Sequence, residues 1–230
     1  IDTSNNLNCF SLNDGKKIWT HATEKSFINS FKKLSIIVKN DLVVFNNSIG
    51  EITALNIKNG SLLWQFSTQT SQSFEEIMSL KTSRIIENQN SIYFSNNKNQ
   101  FFSVDLLTGT VNWTQEISSD LKPGTIGDLL FTISLDGHLF IIDKNSGNIL
   151  RITSMFNNNK LKKKNAIYPT GFIFNHNDIF VTTSNGRLII VDITSGKIKK
   201  ILKIDNKKIS RPFVKHQNMY LIKDNSVIRL

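Results

Sequence analysis

The chain has 230 residues, of which 39% are hydrophobic and 16 are phenylalanine, so it can build a sizeable core and is not a disordered chain. A single cysteine excludes an internal disulfide, and no apolar run reaches the roughly 18 residues that a membrane-spanning helix needs. The net charge of +10 includes one dense basic run, residues 160–164, which contains no aromatic residue for base stacking, so we expect no nucleic-acid partner.

The first predicted element is a hairpin near the start of the chain, where "LNDGKKIW" at residues 12–19 sets a glycine four residues before a tryptophan. The same spacing returns in "LNIKNGSLLW" at 55–64 and in "VDLLTGTVNW" at 104–113. Two later copies, "IIDKNSGNILR" at 141–151 and "IVDITSGKIKK" at 190–200, keep the glycine but carry arginine or lysine in place of the tryptophan. The aligned glycines recur at intervals of 38 to 49 residues, which indicates an internal repeat. They are Gly15, Gly60, Gly109, Gly147 and Gly196.

Each copy has the chemistry of a tight hairpin. In four of the copies an Asn or Asp stands four residues before the glycine: Asn56, Asp105, Asp143 and Asp192. Its short side chain accepts hydrogen bonds from the backbone N–H groups of the turn, while glycine takes a left-handed conformation at little steric cost. The residues on both sides alternate or run apolar, as strands do, so each copy predicts two antiparallel strands.

A second hairpin precedes the first one in each repeat, and Asp136-Gly137 and Asn185-Gly186 are strong two-residue turn signals. A further short strand comes before it, as in "SIIVKN" at 35–40, "SRIIENQ" at 83–89 and "PTGFIF" at 169–174. Each repeat therefore holds four strands, A to D, in a meander. This period predicts an all-β protein, a β-propeller of four-stranded antiparallel blades in which each blade covers its neighbour's apolar face.

The copies give four complete blades and two partial ones. Their predicted limits are 1–25 (partial), 31–66, 78–115, 121–153, 166–202 and 208–230 (partial). Because the chain begins near the end of a strand B and stops after a strand C, both ends supply a strand C. We therefore expect residues 1–230 to form a single domain that belongs to a larger ring of about eight blades, and a compact ring of about five or six blades is the alternative.

The repeated tryptophan has a structural interpretation. Trp19, Trp64 and Trp113 fall at the same place on the outermost strand, where a large ring buries apolar surface between adjacent blades and its indole N–H finds a backbone partner. Arg151 and Lys200 stand at the equivalent positions and can cover the same seam with their aliphatic stems.

The motif "ALD-x-x-TG-x-x-x-W" is typical of PQQ-type propeller repeats, and "ALNIKNGSLLW" and "SVDLLTGTVNW" follow it. The chain resembles the BamB family of lipoproteins over nearly its whole length, most tellingly in "ISRPFVKHQNMYLIKDNSVIRL" at 209–230. This resemblance implies a non-enzymatic scaffold that assists the assembly of β-barrel outer-membrane proteins, at the periplasmic face of the outer membrane of a Gram-negative bacterium. Its implied partner is the β-barrel assembly protein, and its implied contact with the membrane is a lipid anchor on an N-terminal part that this chain lacks.

Quinoprotein dehydrogenases use the same repeats to bind PQQ and calcium, so an enzyme fragment is one alternative, and a sensor propeller of an envelope or kinase-linked protein is another. Those dehydrogenases resemble one another in an adjacent cysteine pair, whereas this chain has only Cys9. The four histidines lie far apart in the sequence, and the repeated aspartates are explained by turns. We therefore expect no catalytic, metal-binding or cofactor-binding residue, and no cofactor.

The longer connectors between blades, at 21–33, 66–81 and 155–168, are the expected interaction sites, because loops on a rigid scaffold carry function. The stretch 71–81 is also the best candidate for a helical turn. Within it we predict partner-binding residues, which are Phe74, Glu75, Glu76 and Lys81. The alternative is that the apolar residues of these connectors tuck under their own loops.

Overall fold

The computed structural model describes residues 1–2, 4–23, 34–47, 49–68, 80–156 and 166–230. Across these ranges the regular structure consists of β-strands, and no helix there is long and apolar enough to cross a membrane. The predicted all-β class is confirmed. The helical turn predicted for 71–81 lies outside the described residues, apart from its last two positions.

Residues Ile1–Asp120 form one compact unit, which contains the first three sheets. Blade 1 has two strands, β1 (Asn6–Phe10) and β2 (Lys17–Ala22). Blade 2 has four, which are β3 (Ile36–Lys39), β4 (Leu42–Asn46), β5 (Glu51–Asn56) and β6 (Leu62–Ser67). Blade 3 consists of β7 (Ile86–Asn88), β8 (Ser91–Asn96), β9 (Gln100–Asp105) and β10 (Val111–Gln115).

Residues Leu121–Leu230 form the second unit, with three further sheets. Blade 4 consists of β11 (Gly124–Ile126), β12 (Leu129–Ile133), β13 (His138–Asp143) and β14 (Ile149–Ser154). Blade 5 consists of β15 (Pro169–Phe174), β16 (Asp178–Thr183), β17 (Arg187–Asp192) and β18 (Ile198–Lys203). Blade 6 has three strands, β19 (Phe213–Lys215), β20 (Asn218–Lys223) and β21 (Ser226–Arg229). In every sheet neighbouring strands are consecutive and antiparallel, so the prediction of a meander with four complete and two partial blades is confirmed.

Adjacent blades of one unit bury their apolar faces against each other. One buried cluster joins Val44 and Ile52 of blade 2 to Phe94 and Phe102 of blade 3, and the two phenylalanine rings stack with centroids 5.2 Å apart. A second cluster joins strands β12 and β13 of blade 4 to strands β16 and β17 of blade 5. Removal of this apolar area from water is the main force that holds one blade to the next.

The hairpin between strands C and D has the geometry that the sequence predicts. The N–H of Gly109 donates to the carbonyl of Asp105 over 3.0 Å, and Gly109 has a φ of +73°, a left-handed conformation that favours glycine. The Asp105 carboxylate accepts from the N–H groups of Leu107 and Thr108 at 2.9 and 2.8 Å. The turns that end at Gly60, Gly147 and Gly196 repeat the same backbone hydrogen bond.

The tryptophans of the first two blades lie at the seam to the following blade, as predicted. The indole N–H of Trp19 donates to the carbonyl of Ile57 at 2.9 Å, and that of Trp64 donates to the carbonyl of Leu106 at 3.1 Å. Both acceptors belong to the C–D turn of the next blade. In the second unit the guanidinium of Arg151 donates to the carbonyl of Thr194 in the equivalent turn of blade 5.

The turn glycine has a second function in this seam, because the indole ring lies directly on it. A Cβ atom on Gly60 would come within 2.7 Å of the Trp19 ring, and one on Gly109 would come within 2.7 Å of the Trp64 ring. By contrast, among the described residues no heavy atom lies within 4 Å of a Cβ built on Gly15, in blade 1. The glycine is therefore required for close packing as well as for its backbone conformation.

We predict that Trp64→Ala lowers the free energy of unfolding by about 3–5 kcal/mol, because it empties a buried seam and leaves the Leu106 carbonyl without its donor. The measurement is urea denaturation at equilibrium. Leu63→Ala, at a half-exposed neighbouring position on β6, is the matched control and should change stability by no more than about 0.5 kcal/mol. A loss below about 1 kcal/mol for Trp64→Ala would remove the seam assignment.

Gly109→Ala and Gly15→Ala form a second matched pair. Both place a side chain at positive φ, which costs about 1–2 kcal/mol, but only Gly109→Ala also drives a methyl group into an indole ring. We expect Gly109→Ala to be the more destabilising by a further 1–3 kcal/mol or so in the same denaturation assay. If both variants lose the same free energy of unfolding, Gly109 is required for its backbone conformation and not for packing against the indole ring.

Candidate interaction surface

The antiparallel meander sets the inter-blade connectors and the B–C turns at the same end of the strands. We call this end of each unit the connector rim. In the first unit it includes residues 23, 35, 46–47, 49–51, 68, 80–83, 95–100 and 116–120. In the second unit it includes residues 121–123, 134–138, 155–156, 168, 183–187 and 204–210.

Three of the connectors leave their blade by bonding to the B–C turn of that blade. The buried hydroxyl of Thr68 donates to the carbonyl of Gly50 at 2.7 Å. In the second unit the N–H of Met155 donates to the carbonyl of Gly137 at 3.0 Å, and that of Ile204 donates to the carbonyl of Gly186 at 2.9 Å. The start of each connector is thereby fixed to a rigid sheet.

A serine fixes the point where three of the connectors enter the next blade. Ser83 donates its N–H to the carbonyl of Ser95, and its hydroxyl accepts the Ser95 N–H at 2.9 Å. Ser210 makes the same pair of bonds with Ile222. Ser35 pairs with Asn46, whose side-chain oxygen accepts the Ser35 N–H at 2.6 Å. Sequence reasoning missed this serine, although its recurrence just ahead of strand A is a signal that could have found it.

The polar side chains of the B–C turns hold the turns themselves. Asn47 bonds to Glu51 at 2.8 Å in blade 2, and Asn96 bonds to Gln100 at 2.7 Å in blade 3. In blade 5 the hydroxyl of Thr183 accepts the N–H of Arg187 at 2.9 Å. Asn47, Asn96 and Thr183 are buried, so these groups hold the turns from within and are not presented to solvent.

The B–C turn of blade 4 contains the three residue types of a hydrolytic triad, which are Ser134, Asp136 and His138. The carboxylate of Asp136 lies in the middle, accepting from the Ser134 hydroxyl and facing Nδ1 of His138 at 2.9 Å. The serine therefore bonds to a carboxylate and not to an imidazole base, which is the wrong order for an activated nucleophile. Burial tends to raise the pKa of Asp136, but its bonds to Ser134 and His138 outweigh this, so the pKa lies below its ordinary value.

No group of three or more His, Cys, Asp or Glu side chains is placed to hold a metal ion within the described part of the chain. The repeated aspartates accept hydrogen bonds from backbone N–H groups of the C–D turns. The pKa of Asp143 is lowered, chiefly because the backbone N–H of Ser146 donates to its carboxylate. Asp178 and Asp192 face each other across two strands, and the ammonium of Lys199 bridges them at 2.7 and 2.8 Å.

Of the four predicted partner-binding residues the structure describes Lys81. Its N–H donates to the side-chain oxygen of Asn97 at 2.7 Å and its carbonyl accepts the Asn97 N–H at 2.9 Å, so the end of the connector is fixed to the B–C turn of blade 3. Phe74, Glu75 and Glu76 lie outside the described residues. The prediction that these four residues bind a partner remains a prediction.

The connector between blades 5 and 6 is fixed by charge. The ammonium of Lys223 pairs with the Asp205 carboxylate, whose other oxygen accepts the N–H of Lys207 at 2.9 Å. The carbonyl of Asp205 in turn accepts from the Arg187 guanidinium at 2.7 Å. The bond from Lys223, helped by the backbone donors, lowers the pKa of Asp205 from 3.8 to about 2.

Comparison with known sequences gives a match between residues 2–153 and the family described as outer membrane protein assembly factor BamB. An uncharacterized protein of Rickettsia prowazekii is 24% identical over 193 residues, which cover 80% of this chain and 46% of the relative. The outer membrane protein assembly factor BamB of Shewanella oneidensis is 20% identical over 223 residues, 95% of this chain and 54% of that protein. The chain thus spans about half the length of these curated relatives.

Among solved structures, the crystal structure of BamB from Moraxella catarrhalis superposes with a TM-score of 0.77. The sequences are 19% identical, and the match covers 98% of this chain and 66% of that one. At this identity the likeness establishes the fold, a β-propeller of PQQ-type blades.

The Asp205–Lys223 pair predicts a pH dependence. Folding lowers the pKa of Asp205, so the ionised carboxylate stabilises the folded state. This stabilisation is fully present above pH 3.8, the ordinary pKa, and is lost as the pH falls through about 2. We expect Lys223→Met to lower the unfolding midpoint of the second unit near neutral pH and to flatten its fall in that acid window. The assay is thermal unfolding at a series of pH values. Lys58→Met, which removes an exposed pair with Asp41, is the control and should leave the profile unchanged.

Proposed function

The chain belongs to the family of the outer membrane protein assembly factor BamB, and on this basis we propose that it is a non-enzymatic scaffold that assists the assembly of β-barrel proteins in the outer membrane. Its partner in this proposal is the β-barrel assembly protein. The proposed location is the periplasmic face of the outer membrane, reached through a lipid anchor.

The observation that carries the proposal is the anchoring of the connector between blades 2 and 3. Its start is held by the bond from Thr68 to Gly50, and its end by the pair of bonds between Lys81 and Asn97. Thr68 is 3% exposed, so this anchor is sheltered from water. A segment whose two ends are fixed to rigid sheets loses less conformational entropy on binding than one with a free end, which favours a role in recognition.

The chemistry of the rim also favours binding over catalysis. Its polar groups are committed to turns, as in the Ser134–Asp136–His138 arrangement, where the carboxylate holds the serine hydroxyl. A dehydrogenase would need side chains that converge on a cofactor and a metal ion. We therefore place this chain with the scaffolds of its repeat class and not with the quinoprotein enzymes.

We also propose that the chain forms part of a larger propeller. Leu12 in the C–D turn of blade 1 is 103% exposed, whereas its counterpart Leu106 in blade 3 is 1% exposed beneath the Trp64 ring. Among the described residues, no heavy atom lies within 4 Å of a Cβ built on Gly15, so this side of the turn is also uncovered. The C–D turn of blade 1 thus has an uncovered surface of the kind on which a tryptophan packs in blades 2 and 3. This supports the packing of a further blade against blade 1.

The test of the proposed function is a pull-down of the periplasmic part of the β-barrel assembly protein by this chain. We expect the double variant Phe74→Ala, Glu75→Ala to reduce the bound assembly protein at least about tenfold, because apolar and charged anchors dominate such interfaces. Lys81→Ala should give a smaller loss, since its backbone bonds to Asn97 remain.

The control for this pull-down is Leu107→Ala, which removes an exposed apolar side chain from a C–D turn at the opposite end of the blade. It should bind as well as the unaltered chain. Undiminished binding by the double variant would reject the 71–81 connector as the docking face, and no binding by the unaltered chain would reject the assembly partner.

A further inference from the structure

The net positive charge of this protein comes from its second unit. Residues 121–230 contain 18 Lys and Arg, 7 Asp and no Glu, which gives a net charge of +11. Residues 1–120 contain 10 basic and 11 acidic residues, which gives a net charge of −1. Both units are built from the same kind of blade, so the fold itself does not require this difference. A charge asymmetry between two halves of a chain indicates a partner of opposite charge.

In the second unit, blade 5 brings two cations together where strands C and D meet the connector rim. Arg187 of β17 and Lys203 of β18 are direct cross-strand partners. The equivalent pairs in two other blades are Glu51 with Ser67 in blade 2, and His138 with Ser154 in blade 4. Like charges directly opposite each other destabilise a sheet. Blade 5 therefore carries a local electrostatic cost, as expected of a surface that receives an anionic partner.

The connector from blade 5 to blade 6 adds three cations to the same end of blade 5. The ammonium of Lys208 lies 5.5 Å from the centre of the exposed Tyr168 ring, just ahead of strand β15. The side chain of Arg211 lies against Gly171, in β15 itself. Lys207 is exposed beside Lys208, and its side chain is 76% accessible to solvent. The connector thus crosses the end of blade 5 from strand D to strand A and lines it with positive charge.

The acidic groups of this rim do not neutralise the cations. Asp205 pairs with Lys223, and the Asp224 carboxylate approaches the Lys207 ammonium only to 3.8 Å, between two side chains that are each more than half exposed. Among the described residues, no carboxylate oxygen lies within 4 Å of the charged nitrogens of Arg187, Lys203, Lys208 or Arg211. We call this surface the basic rim of blade 5, and its residues are Arg187, Lys203, Lys207, Lys208 and Arg211.

We propose that the basic rim of blade 5 binds a membrane surface that carries anionic phospholipid headgroups. A cluster of about four to eight Lys and Arg residues is typical of such binding, because each cation gains from the negative potential of the lipid surface. Lysine predominates over arginine in the second unit, and its hydrated point charge on a flexible stem suits mobile headgroups better than one fixed carboxylate. Tyr168 adds an exposed amphipathic ring, a residue type that favours the membrane interface.

This inference rests on the proposed function for one premise, which is that a lipid anchor holds the protein at a membrane. A single acyl chain gives only reversible attachment, and a basic surface supplies the second contact that makes the attachment stable. The basic rim would also turn the connector end of blade 5 towards the lipid. It belongs to the second unit, whereas the assembly protein is proposed to dock through the 71–81 connector of the first unit, so the two interactions can be lost separately.

The experiment measures co-sedimentation of the chain with vesicles of phosphatidylcholine that contain about one-third phosphatidylglycerol. We expect the chain to bind these vesicles, to be released as the salt concentration rises from about 0.05 to about 0.5 M, and not to bind vesicles of phosphatidylcholine alone. Each cation near an anionic surface is worth about fivefold in the partition coefficient. The double variant Lys207→Gln, Lys208→Gln should therefore bind at least about tenfold more weakly, with an unchanged thermal unfolding midpoint because both side chains are exposed.

The matched control is Lys197→Gln, Lys215→Gln, which removes the same charge from two exposed positions at the opposite end of blades 5 and 6. Its partition coefficient should stay within about twofold of that of the unaltered chain, because these lysines face away from the lipid. An equal loss in both double variants would show that binding follows net charge alone, and would overturn the assignment of this rim. Binding of soluble polyglutamate without any binding of the phosphatidylglycerol vesicles would identify an acidic polypeptide as the partner and would also overturn it.

The failure of this inference is distinguishable from failure of the proposed function. If the unaltered chain captures the β-barrel assembly protein but does not bind the phosphatidylglycerol vesicles, the lipid-binding rim is wrong and the scaffold proposal stands. If Lys207→Gln, Lys208→Gln loses the vesicles yet still captures the assembly protein, both proposals are supported and the two surfaces are separate.

Discussion

The contact of an indole ring with a turn glycine is the interaction on which the rest of this structure depends. It joins strand D of one blade to the C–D turn of the next, with Trp19 on Gly60 and Trp64 on Gly109. The same contact supplies apolar burial, a hydrogen bond from the indole N–H to a turn carbonyl, and a fixed spacing between sheets. Because a four-stranded sheet has two apolar faces and can bury neither alone, this seam is what allows a meander of small sheets to be stable.

The parts of the fold that could be predicted are those in which the local sequence decides the local structure. The spacing from Asp105 to Gly109 fixes a turn in which Leu107, Thr108 and Gly109 all donate to Asp105, so the hairpin can be predicted without knowledge of the rest of the chain. The strand β11 (Gly124–Ile126) shows the limit. It has three residues, of which the first is a glycine, and no alternation, and it becomes a strand because β12 offers it a pairing edge.

The candidate site was less predictable for the same physical reason. The bonds of Ser83 with Ser95, and of Thr68 with Gly50, join residues more than ten positions apart, and nothing local distinguishes these side chains from those of any polar loop. Their role appears only when the meander brings connectors and B–C turns to one end of the strands. A rigid framework with anchored connectors suits a protein that binds others, and this framework is the physical basis for the proposed scaffold role.

A double-mutant cycle between Trp64 and Gly109 tests the central contact most directly, with urea denaturation of the four proteins of the cycle. If the indole lies on the glycine, the added methyl of Gly109→Ala has nothing to clash with once Trp64 has been replaced by alanine. The account therefore predicts that the two losses are strongly non-additive, with a coupling of about 1–3 kcal/mol. Losses that add to within about 0.5 kcal/mol would show that the two residues act independently, and would contradict the account.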